Sequence, residues 1–491
     1  MAKSLSILFV TSEVFPFVKV GGVADVSYSL PLALRDIGHD IRVMLPKYGL
    51  VSERKNKIHE INRLRDIPIP VGSGYEPATV KSSSISNPRT KVQAYITTNM
   101  TYFDSKKGVY SDPKTGKEYA DSPERFMFFN RTVIETCLIL GWFPDIIHCN
   151  DWQTAFIPGY VRGMFPNKFR KTKIVYTVHN FKNQGVFPSF DPKKTGFSEQ
   201  VIKNYEHNGK FNILKGGLHY ADYITTVSPT YAKQMLEDSE HSDGLNELII
   251  AKKNQFKGIL NGIDNWGWNP DIDENIPVKL KSEFSVFKHD NKLKLLNQFG
   301  FEYKPNLPLL GMISKLDTQK GIELLISASD SIMKEDIQFV LLGDGDAKMK
   351  AKLTKIAQKY PDKFKVIFEN NDPLAHLIEA SADIFLLPSS FEPCGLNLMY
   401  SLVYGAVPIV HYTGGMKDVA VDFNPETKTG NSFVFTNYTT QDMLKALKRA
   451  LAAFKDEALW ETLLGNCTKA DYSWNESAAM YSDIYKEVLK D

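Results

Sequence analysis

Short apolar runs that do not alternate with polar residues recur along this chain, each separated from the next by a helix-length segment. The first 48 residues show the unit most clearly. An apolar run at 7–10 is followed by a glycine-containing turn, an amphipathic stretch that ends at Gly38, and a second run at 41–45. Such runs are typical of strands covered on both faces, and a strand, a helix and a strand form a βαβ unit. The pattern therefore predicts an α/β protein with parallel sheets.

The chain has 491 residues, roughly three times the length of an ordinary domain. Further unalternated runs lie at 145–148, 174–179, 223–227, 309–313, 339–342, 366–368, 384–387 and 407–410. The polar residues between about 50 and 125 are predicted to be insertions and loops, and the polar, proline-containing stretch 265–306 separates the two sets of runs. We predict a Rossmann-like domain over 1–261, a second over 262–473, and a C-terminal helix over 474–491 that packs back on the first domain.

Composition excludes several classes of protein. Lys and Arg total 59 against 57 Asp and Glu, a net charge of +2, which is too balanced for a protein that binds a polyanion such as DNA. No apolar run approaches the roughly 18 residues of a membrane span. The four cysteines form no C-x-x-C pair, so neither a disulfide framework nor a zinc site is indicated. We expect a cytoplasmic protein without nucleic-acid or membrane partners.

Open α/β sheets bind ligands at the carboxyl ends of their strands, so functional residues are expected there. Lys19-Val20-Gly21-Gly22 lies between the first strand and the first helix. Paired glycines let a backbone approach a ligand closely, and a helix N-terminus and a lysine both favour an anion. This loop is a candidate diphosphate site, and the alternative is a sharp loop with a solvated lysine.

Three segments of the second half occupy the same kind of position. Lys315 and Lys320 bracket a loop after the run at 309–313 and could neutralise a phosphate, or they could be solvated. A Pro and Gly turn aims Glu392 outward after the run at 384–387. Thr413-Gly414-Gly415 offers backbone amides to an anion.

Two histidines and an aspartate follow strands in the first half, in His148-Cys149-Asn150-Asp151-Trp152 and His179-Asn180. Their spacing does not match a metal site, which favours catalytic or sugar-binding roles over metal binding. Gly343-Asp344-Gly345-Asp346 also follows a strand, but it lacks the third glycine of a dinucleotide fingerprint. We interpret that segment as a tight turn.

Taken together, these segments resemble the bacterial glycogen synthase and plant starch synthase family. The resemblance rests on the following segments, in the family's order: 19–26, Asp151-Trp152, His179-Asn180 with Gln184-Gly185, 220–222, 226–232, 258–264, Gln319-Lys320-Gly321, 391–396 and 413–415. These enzymes are retaining glycosyltransferases of family 5 with the GT-B fold, in which two Rossmann-like, doubly wound domains face each other across a deep cleft. The resemblance implies closure of that cleft about a hinge near Asn261-Gly262.

The activity implied by the resemblance is transfer of glucose from ADP-glucose to the non-reducing end of an α-1,4-glucan, with retention and without a metal or other cofactor. The implied catalytic residues are Glu392, His179, Lys320 and Asp151. The implied donor-binding residues are Lys19, Gly21, Gly22, Lys315, Lys320, Asn261, Cys394, Gly395, Leu396, Thr413 and Gly414. The implied acceptor and sugar-pocket residues are Glu13, Asp25, Asp151, Trp152 and Asn180.

This sequence departs from the family pattern at two positions that bear on the donor. Lys315 stands where the family usually has Arg, which keeps the charge but loses a bidentate contact. Asn370 stands where an aromatic residue commonly stacks on adenine. The alternatives are therefore a related GT-B transferase that uses UDP-glucose or another nucleotide sugar, or a weakly active paralogue that binds glucan.

Overall fold

The computed structural model describes residues 4–237, 239–281 and 283–490. The chain divides into two compact units. The first comprises the residues up to Gly262 together with those from Trp474 onward, and the second is Ile263–Ser473. Within the described ranges, no helix combines the length and the apolar character needed to cross a membrane.

Among the described residues, a ten-stranded sheet forms the centre of the first unit. Its strands are β1 (Ser6–Val10), β2 (Asp40–Pro46), β3 (His59–Glu60), β4 (Ile67–Val71), β5 (Gly74–Ser86), β6 (Lys91–Thr98), β7 (Ile146–Asn150), β8 (Lys173–Val178), β11 (Tyr223–Thr226) and β12 (Phe256–Gly258). They lie in the order β12-β11-β8-β7-β1-β2-β6-β5-β3, with β4 paired to β5. The pairs from β12 to β6 are parallel, and those made by β5 are antiparallel. A separate hairpin contains β9 (Glu206–His207) and β10 (Lys210–Phe211).

The helices of this unit connect the parallel strands. They are α1 (Gly22–Asp36), α2 (Ser122–Leu140), α3 (Phe156–Gly159), α4 (Glu199–Tyr205), α5 (Ile213–Tyr220), α6 (Pro229–Glu237) and α7 (Asn246–Ala251). Local sequence sets their ends: Pro123 lies in the first turn of α2, and Gly141 ends that helix in the left-handed conformation at φ 62°.

The described part of the second unit has six parallel strands, β13 (Leu309–Ile313), β14 (Gln338–Leu342), β15 (Phe364–Ile367), β16 (Ile384–Leu387), β17 (Val407–His411) and β18 (Phe433–Phe435). Their order in the sheet is β15-β14-β13-β16-β17-β18. The helices are α8 (Phe284–Phe299), α9 (Ile322–Ile332), α10 (Ala347–Lys359), α11 (Asp372–Ser381), α12 (Leu396–Val403), α13 (Met416–Val419), α14 (Thr440–Phe454) and α15 (Glu457–Cys467). The predicted parallel, doubly wound sheet is confirmed in this unit.

The last helix, α16 (Trp474–Val488), belongs to the first unit and packs against α1. Two buried hydrogen bonds hold it there. His148 Nδ1 lies 2.6 Å from the Tyr485 hydroxyl, and His39 Nε2 lies 2.8 Å from Ser482 Oγ. Because burial lowers the pKa of His148 to about 3, its imidazole is neutral in the folded protein.

One sequence prediction was wrong in detail, and one helix was not foreseen. Residues 50–125 do not consist of insertions and loops alone, since β5 and β6 lie there and extend the main sheet, which makes that sheet mixed rather than parallel. The stretch 265–306 contains α8, whose inward side carries buried Lys288 and Lys292. Its polar composition concealed the helix.

In each unit the strand order reverses beside the first strand. The reversal lies between β1 and β7 in the first unit and between β13 and β16 in the second. Such topological switch points are the usual ligand-binding places of open α/β sheets, because the loops that leave the two central strands diverge there. The loops after these four strands contain most of the predicted site residues.

Candidate active site

The loop between β1 and α1 is organised around Glu13. This side chain is only 2% exposed, and its Oε2 accepts hydrogen bonds from the backbone N–H groups of Val20 at 2.6 Å and Gly21 at 3.1 Å. Its Oε1 accepts a third from the Tyr110 hydroxyl at 2.7 Å. Burial raises the pKa of Glu13 to about 7, although the three hydrogen bonds oppose that shift. The carboxylate therefore fixes the glycine loop to the end of β1.

Lys19 and the glycines lie on the outer side of this loop. Lys19 Nζ is 3.0 Å from Asp25 Oδ1, and both side chains are partly exposed. A Cβ added to Gly21 would meet nothing within 4 Å, so neither its extended backbone nor its packing requires glycine. The Gly21 N–H, which the sequence predicted to contact a diphosphate, donates to Glu13 in the structure. In the first turn of α1 the Ala24 N–H donates to Gly21 O at 3.2 Å, whereas the N–H groups of Gly22 and Val23 precede the first backbone acceptor of the helix.

Asp151 follows β7 in an unusual backbone conformation, with φ 56° and ψ 178°. Its N–H donates to Thr177 O at 3.0 Å, and its carbonyl accepts the Tyr176 hydroxyl at 2.5 Å. Its Oδ1 accepts the N–H of His179 at 2.8 Å, and the Asn180 N–H also donates to its carboxylate. Non-glycine residues rarely adopt this conformation, and surrounding structure must hold it. Burial raises the pKa of Asp151 to about 7.

His179 is a neutral, oriented imidazole. Burial lowers its pKa to about 4. Its Nε2 lies 3.0 Å from Asn150 Oδ1, while the Asn150 amide nitrogen donates to Val10 O at 3.0 Å. Because the amide orientation makes Oδ1 the acceptor, Nε2 carries the hydrogen and Nδ1 presents a lone pair. The structure thus places Asp151, His179 and Asn180 together at neighbouring strand ends.

Trp152 and Asn261 complete the predicted residues of the first unit. Trp152 is buried, with its ring 5.3 Å from Phe126 and 5.2 Å from Phe187. It packs as part of the core beneath the site. Asn261 follows β12 and is also buried, and its Oδ1 has no hydrogen-bond partner among the described residues. A buried amide oxygen without a donor is a candidate acceptor for a ligand hydroxyl.

An ion pair lies at the switch point of the second unit. Lys320 Nζ is 2.5 Å from Glu392 Oε2, which also accepts the Ser389 hydroxyl at 3.2 Å. Lys320 follows β13, Glu392 follows β16, and Gln319 joins the two loops through its backbone oxygen, which accepts the Ser390 N–H at 2.9 Å. The pair is partly exposed and positioned by backbone on both sides. It can bind a ligand that carries both hydroxyls and negative charge.

Glycines let the loop after β17 pack directly on the Glu392 segment. Gly414 has φ +48°, and a Cβ there would lie 2.0 Å from Glu392 O. The next residue, Gly415, donates its N–H to the same oxygen at 2.9 Å. Gly395 has φ +88°, and a Cβ there would lie 2.6 Å from Met416 Sδ. Thr413, Gly414, Cys394, Gly395 and Leu396 are therefore brought together.

Lys315 differs from Lys320 in its surroundings. Its side chain is 72% exposed and lies 3.4 Å from Asp317 Oδ2. Asn370 is exposed in the loop between β15 and α11. The Gly343 turn packs against the Lys315 loop, because Leu316 N–H donates to Asp344 O and Asp346 N–H donates to Leu316 O, both at 2.9 Å.

Asp346 occupies the position that a dinucleotide phosphate would need. Its Oδ1 accepts the N–H groups of Lys348 at 2.8 Å and Met349 at 2.9 Å at the start of α10. This helix N-terminus is thus capped by the chain's own carboxylate, which agrees with the interpretation of 343–346 as a turn.

Three residues that sequence reasoning missed take part in these sites. Tyr110 binds Glu13, Asn150 orients His179, and Ser389 binds Glu392. Tyr110 lies in the segment predicted to be loops, where no pattern singled it out. In the described part of the chain, no group of three His, Cys, Asp or Glu side chains is arranged to hold a metal ion.

Comparisons with known families define the class of this protein. Residues 6–251 match the model of the starch synthase catalytic domain, and residues 297–459 match that of glycosyl transferases group 1. The chain superposes on a sucrose-phosphate synthase from Thermosynechococcus elongatus with a TM-score of 0.62 at 16% identity, over 99% of both chains, which is a likeness of fold alone. The fold and the family models define a glycosyltransferase with the GT-B fold.

Closer relatives identify the family. The chain is 35% identical to the glycogen synthase of Chlorobaculum parvum over 99% of both chains. It is 37% identical to that of Koribacter versatilis, over 99% of this chain and 98% of the relative. The catalytic domain of starch synthase IV from Arabidopsis thaliana, solved with ADP and acarbose bound, matches over 100% of both chains at 29% identity and a TM-score of 0.90. The chain belongs to the family of bacterial glycogen synthases and plant starch synthases, and it is a glycosyltransferase of that type.

Proposed function

We propose that this enzyme transfers glucose from ADP-glucose to the non-reducing end of an α-1,4-glucan, with retention at the anomeric carbon and without a metal or organic cofactor. The observation that carries the proposal is the Lys320–Glu392 pair at the switch point of the second unit, where an ammonium and a carboxylate meet 2.5 Å apart. A related starch synthase bound to ADP and acarbose supports the choice of nucleotide. We place this activity in the cytoplasm.

The second unit would bind the donor. Loss of a nucleoside diphosphate concentrates negative charge on its outer phosphate, and Lys320 and Lys315 would stabilise that charge more in the transition state than in the ground state. Glu392 would accept hydrogen bonds from hydroxyls of the transferred glucose. The donor-contacting backbone would come from Cys394, Gly395, Leu396, Thr413 and Gly414.

The first unit would contribute Lys19 and the first turn of α1 to the diphosphate. His179 would lie beside the anomeric carbon and the glucose 6-hydroxyl, and Asn261 would accept from a sugar hydroxyl. The acceptor subsite would be formed by Asp151 and Asn180, with Trp152 beneath them and with Glu13 and Asp25 flanking the loop. Because Asp151 and His179 are linked by a hydrogen bond, their positions are set together.

Retention would follow from attack on the same face that the diphosphate leaves. The bond from the anomeric carbon to the phosphate oxygen breaks, and the acceptor hydroxyl oxygen forms the new glycosidic bond to that carbon. The leaving phosphate takes the acceptor proton. No side chain then needs to act as a nucleophile, and the lysines supply electrostatic stabilisation.

A second donor is favoured by one observation. Asn370 lies exposed in the loop after β15 and offers no ring for adenine to stack on. Under this alternative the same reaction would use UDP-glucose or another nucleotide sugar. The weakly active, glucan-binding paralogue would instead bind glycogen without releasing nucleotide.

The test is nucleoside diphosphate release with glycogen as acceptor, comparing ADP-glucose with UDP-glucose. We expect turnover with ADP-glucose, an α-1,4 linkage in the product by NMR, and a fall of about 100-fold in Glu392→Gln. Glu302→Gln is the matched control, because Glu302 is 77% exposed and pairs only with nearby Lys304 at the surface among the described contacts. Turnover with UDP-glucose alone would assign the second donor, and glycogen binding without nucleotide release would favour the paralogue.

A further inference from the structure

Glu13, one of the predicted pocket residues, has a carboxylate that is directed inward. Three donors converge on it: the N–H groups of Val20 and Gly21 on one oxygen and the Tyr110 hydroxyl on the other. Because only 2% of its surface is exposed, Glu13 offers little area for contact with a sugar. Its contacts are instead with the underside of the loop whose outer side carries Lys19 and the start of α1.

The outer side of the same loop is open. Gly21 and Gly22 are exposed, and a Cβ on Gly21 would meet nothing within 4 Å. The loop is therefore fixed from one side and accessible from the other. A loop of this kind needs an internal acceptor, because otherwise the Val20 and Gly21 N–H groups would turn toward water or toward the ligand.

We propose that Glu13 is a positioning residue for the donor phosphates: its buried carboxylate holds the 19–22 backbone so that Lys19 and the first turn of α1 are directed at the donor. This inference rests on the proposed function. It moves Glu13 from the acceptor pocket to the support of the donor loop.

Ionisation of Glu13 is coupled to this role. Its pKa is raised to about 7, mainly by burial and in small part by the negative charge of Asp25. A diphosphate bound beside the loop would add negative charge and favour the protonated carboxyl further. Donor binding should therefore be accompanied by uptake of a fraction of a proton near pH 7.5. Tyr48 and Tyr110 also interact electrostatically with Glu13, Arg125 lies near both tyrosines, and Lys19 pairs with Asp25 on the same loop.

Three variants test the proposal. Glu13→Ala removes the acceptor of two N–H groups, and we expect the donor KM and the Kd for ADP to rise roughly tenfold while the glycogen KM stays within about twofold. Glu13→Gln keeps an acceptor oxygen, so both donor values should return to within about threefold of the unmodified enzyme. Glu124→Gln is the matched control, because Glu124 accepts the Tyr102 hydroxyl at 2.7 Å elsewhere in the same unit.

Calorimetry of ADP binding in two buffers of different ionisation enthalpy measures the number of protons taken up on binding. A purely structural role of Glu13 would not affect that number. We expect proton uptake near pH 7.5 in the unmodified enzyme and in Glu124→Gln, and a smaller uptake in Glu13→Gln, in which Asp151, with a pKa of about 7, still titrates in this range. Should Glu13→Ala fail to fold, Tyr110→Phe removes one donor from the carboxylate and should lower the proton uptake measurably.

Two results would overturn the proposal. The first is a folded Glu13→Ala enzyme whose ADP affinity is unchanged, and the second is a rise in the glycogen KM equal to that in the donor KM. The ADP-binding measurement does not depend on turnover. An enzyme that releases no nucleotide from any donor would refute the proposed function, whereas unchanged ADP binding in Glu13→Ala would refute only the role of Glu13.

Discussion

Gly414→Ala tests whether the position of Glu392 matters, because the substitution should displace the Glu392 backbone while leaving its side chain in the protein. The new Cβ would lie 2.0 Å from Glu392 O and 2.9 Å from its carbonyl carbon. Both are backbone atoms, so no rotamer change can relieve the clash, and the two segments must move apart by about 1 Å or more to restore ordinary contact. The side chain of Glu392 remains, but its support is displaced.

The energetic cost can be worked from the same geometry. A φ of +48° costs about 1–2 kcal/mol for a residue with a Cβ. Weakening of the Gly415 N–H to Glu392 O hydrogen bond, now 2.9 Å, adds about 1 kcal/mol. The total of about 2–3 kcal/mol corresponds to a fall in Tm of roughly 4–12 °C for a unit of this size. For the catalytic role proposed for Glu392, a 1 Å misplacement would lower turnover by about 100-fold.

Thermal unfolding and nucleotide release on the same preparation measure both effects. Gly465→Ala is the control, since Gly465 lies within α15 and a Cβ there would meet nothing within 4 Å. That substitution should raise Tm by about 1–4 °C and leave turnover unchanged. A Gly414→Ala enzyme with unaltered Tm and turnover within twofold would refute the argument that close backbone packing positions Glu392.

Two further substitutions test buried groups outside the site. The Glu379 carboxylate is buried without a hydrogen-bond partner among the described residues, and burial raises its pKa well above the usual value, so the stability it contributes at low pH is lost as pH rises. Glu379→Gln should therefore raise Tm at pH 8 more than at pH 5 in thermal unfolding, and an equal change at both pH values would contradict this. Tyr485→Phe leaves the neutral His148 Nδ1 without its 2.6 Å partner, which should lower the free energy of unfolding by about 1–3 kcal/mol with unchanged KM values. An unchanged unfolding curve would show that this hydrogen bond does not hold α16.

The parallel strands were predictable because both faces of each sheet are covered, which makes their sequences apolar without alternation. That signal fails where one face is polar. β5 alternates buried Ala78 and Val80 with more exposed neighbours, and its Ser82–Ser84 stretch resembles a loop in composition. In α8, Lys288 Nζ donates to the backbone oxygens of Glu379 and Tyr404 at 3.0 and 3.1 Å, so a lysine occupies a core position that periodicity expects to be apolar.

The site residues divide in the same way. Motifs predicted the loops that follow the central strands, since glycines and charged residues at strand ends can be recognised in the sequence. Contacts with residues from distant segments cannot be recognised in this way. Tyr110 lies 97 positions from Glu13, and only the fold brings its hydroxyl to the carboxylate. The same holds for the Gly415 N–H, predicted to be open to an anion, which instead donates to Glu392 O.

The N–H groups and lysines of these loops already have partners within the protein, so an anion that binds the loops must compete with those partners. In the first unit Glu13 takes two loop amides and Asp25 pairs with Lys19. In the second unit each lysine of the 315–320 loop has its own carboxylate within 3.4 Å. A phosphate that binds there must compete with the carboxylate already paired to each lysine. Under the proposed function, the charge on the departing diphosphate would grow as its bond to glucose breaks, so its attraction to these lysines would be stronger in the transition state than in the ground state.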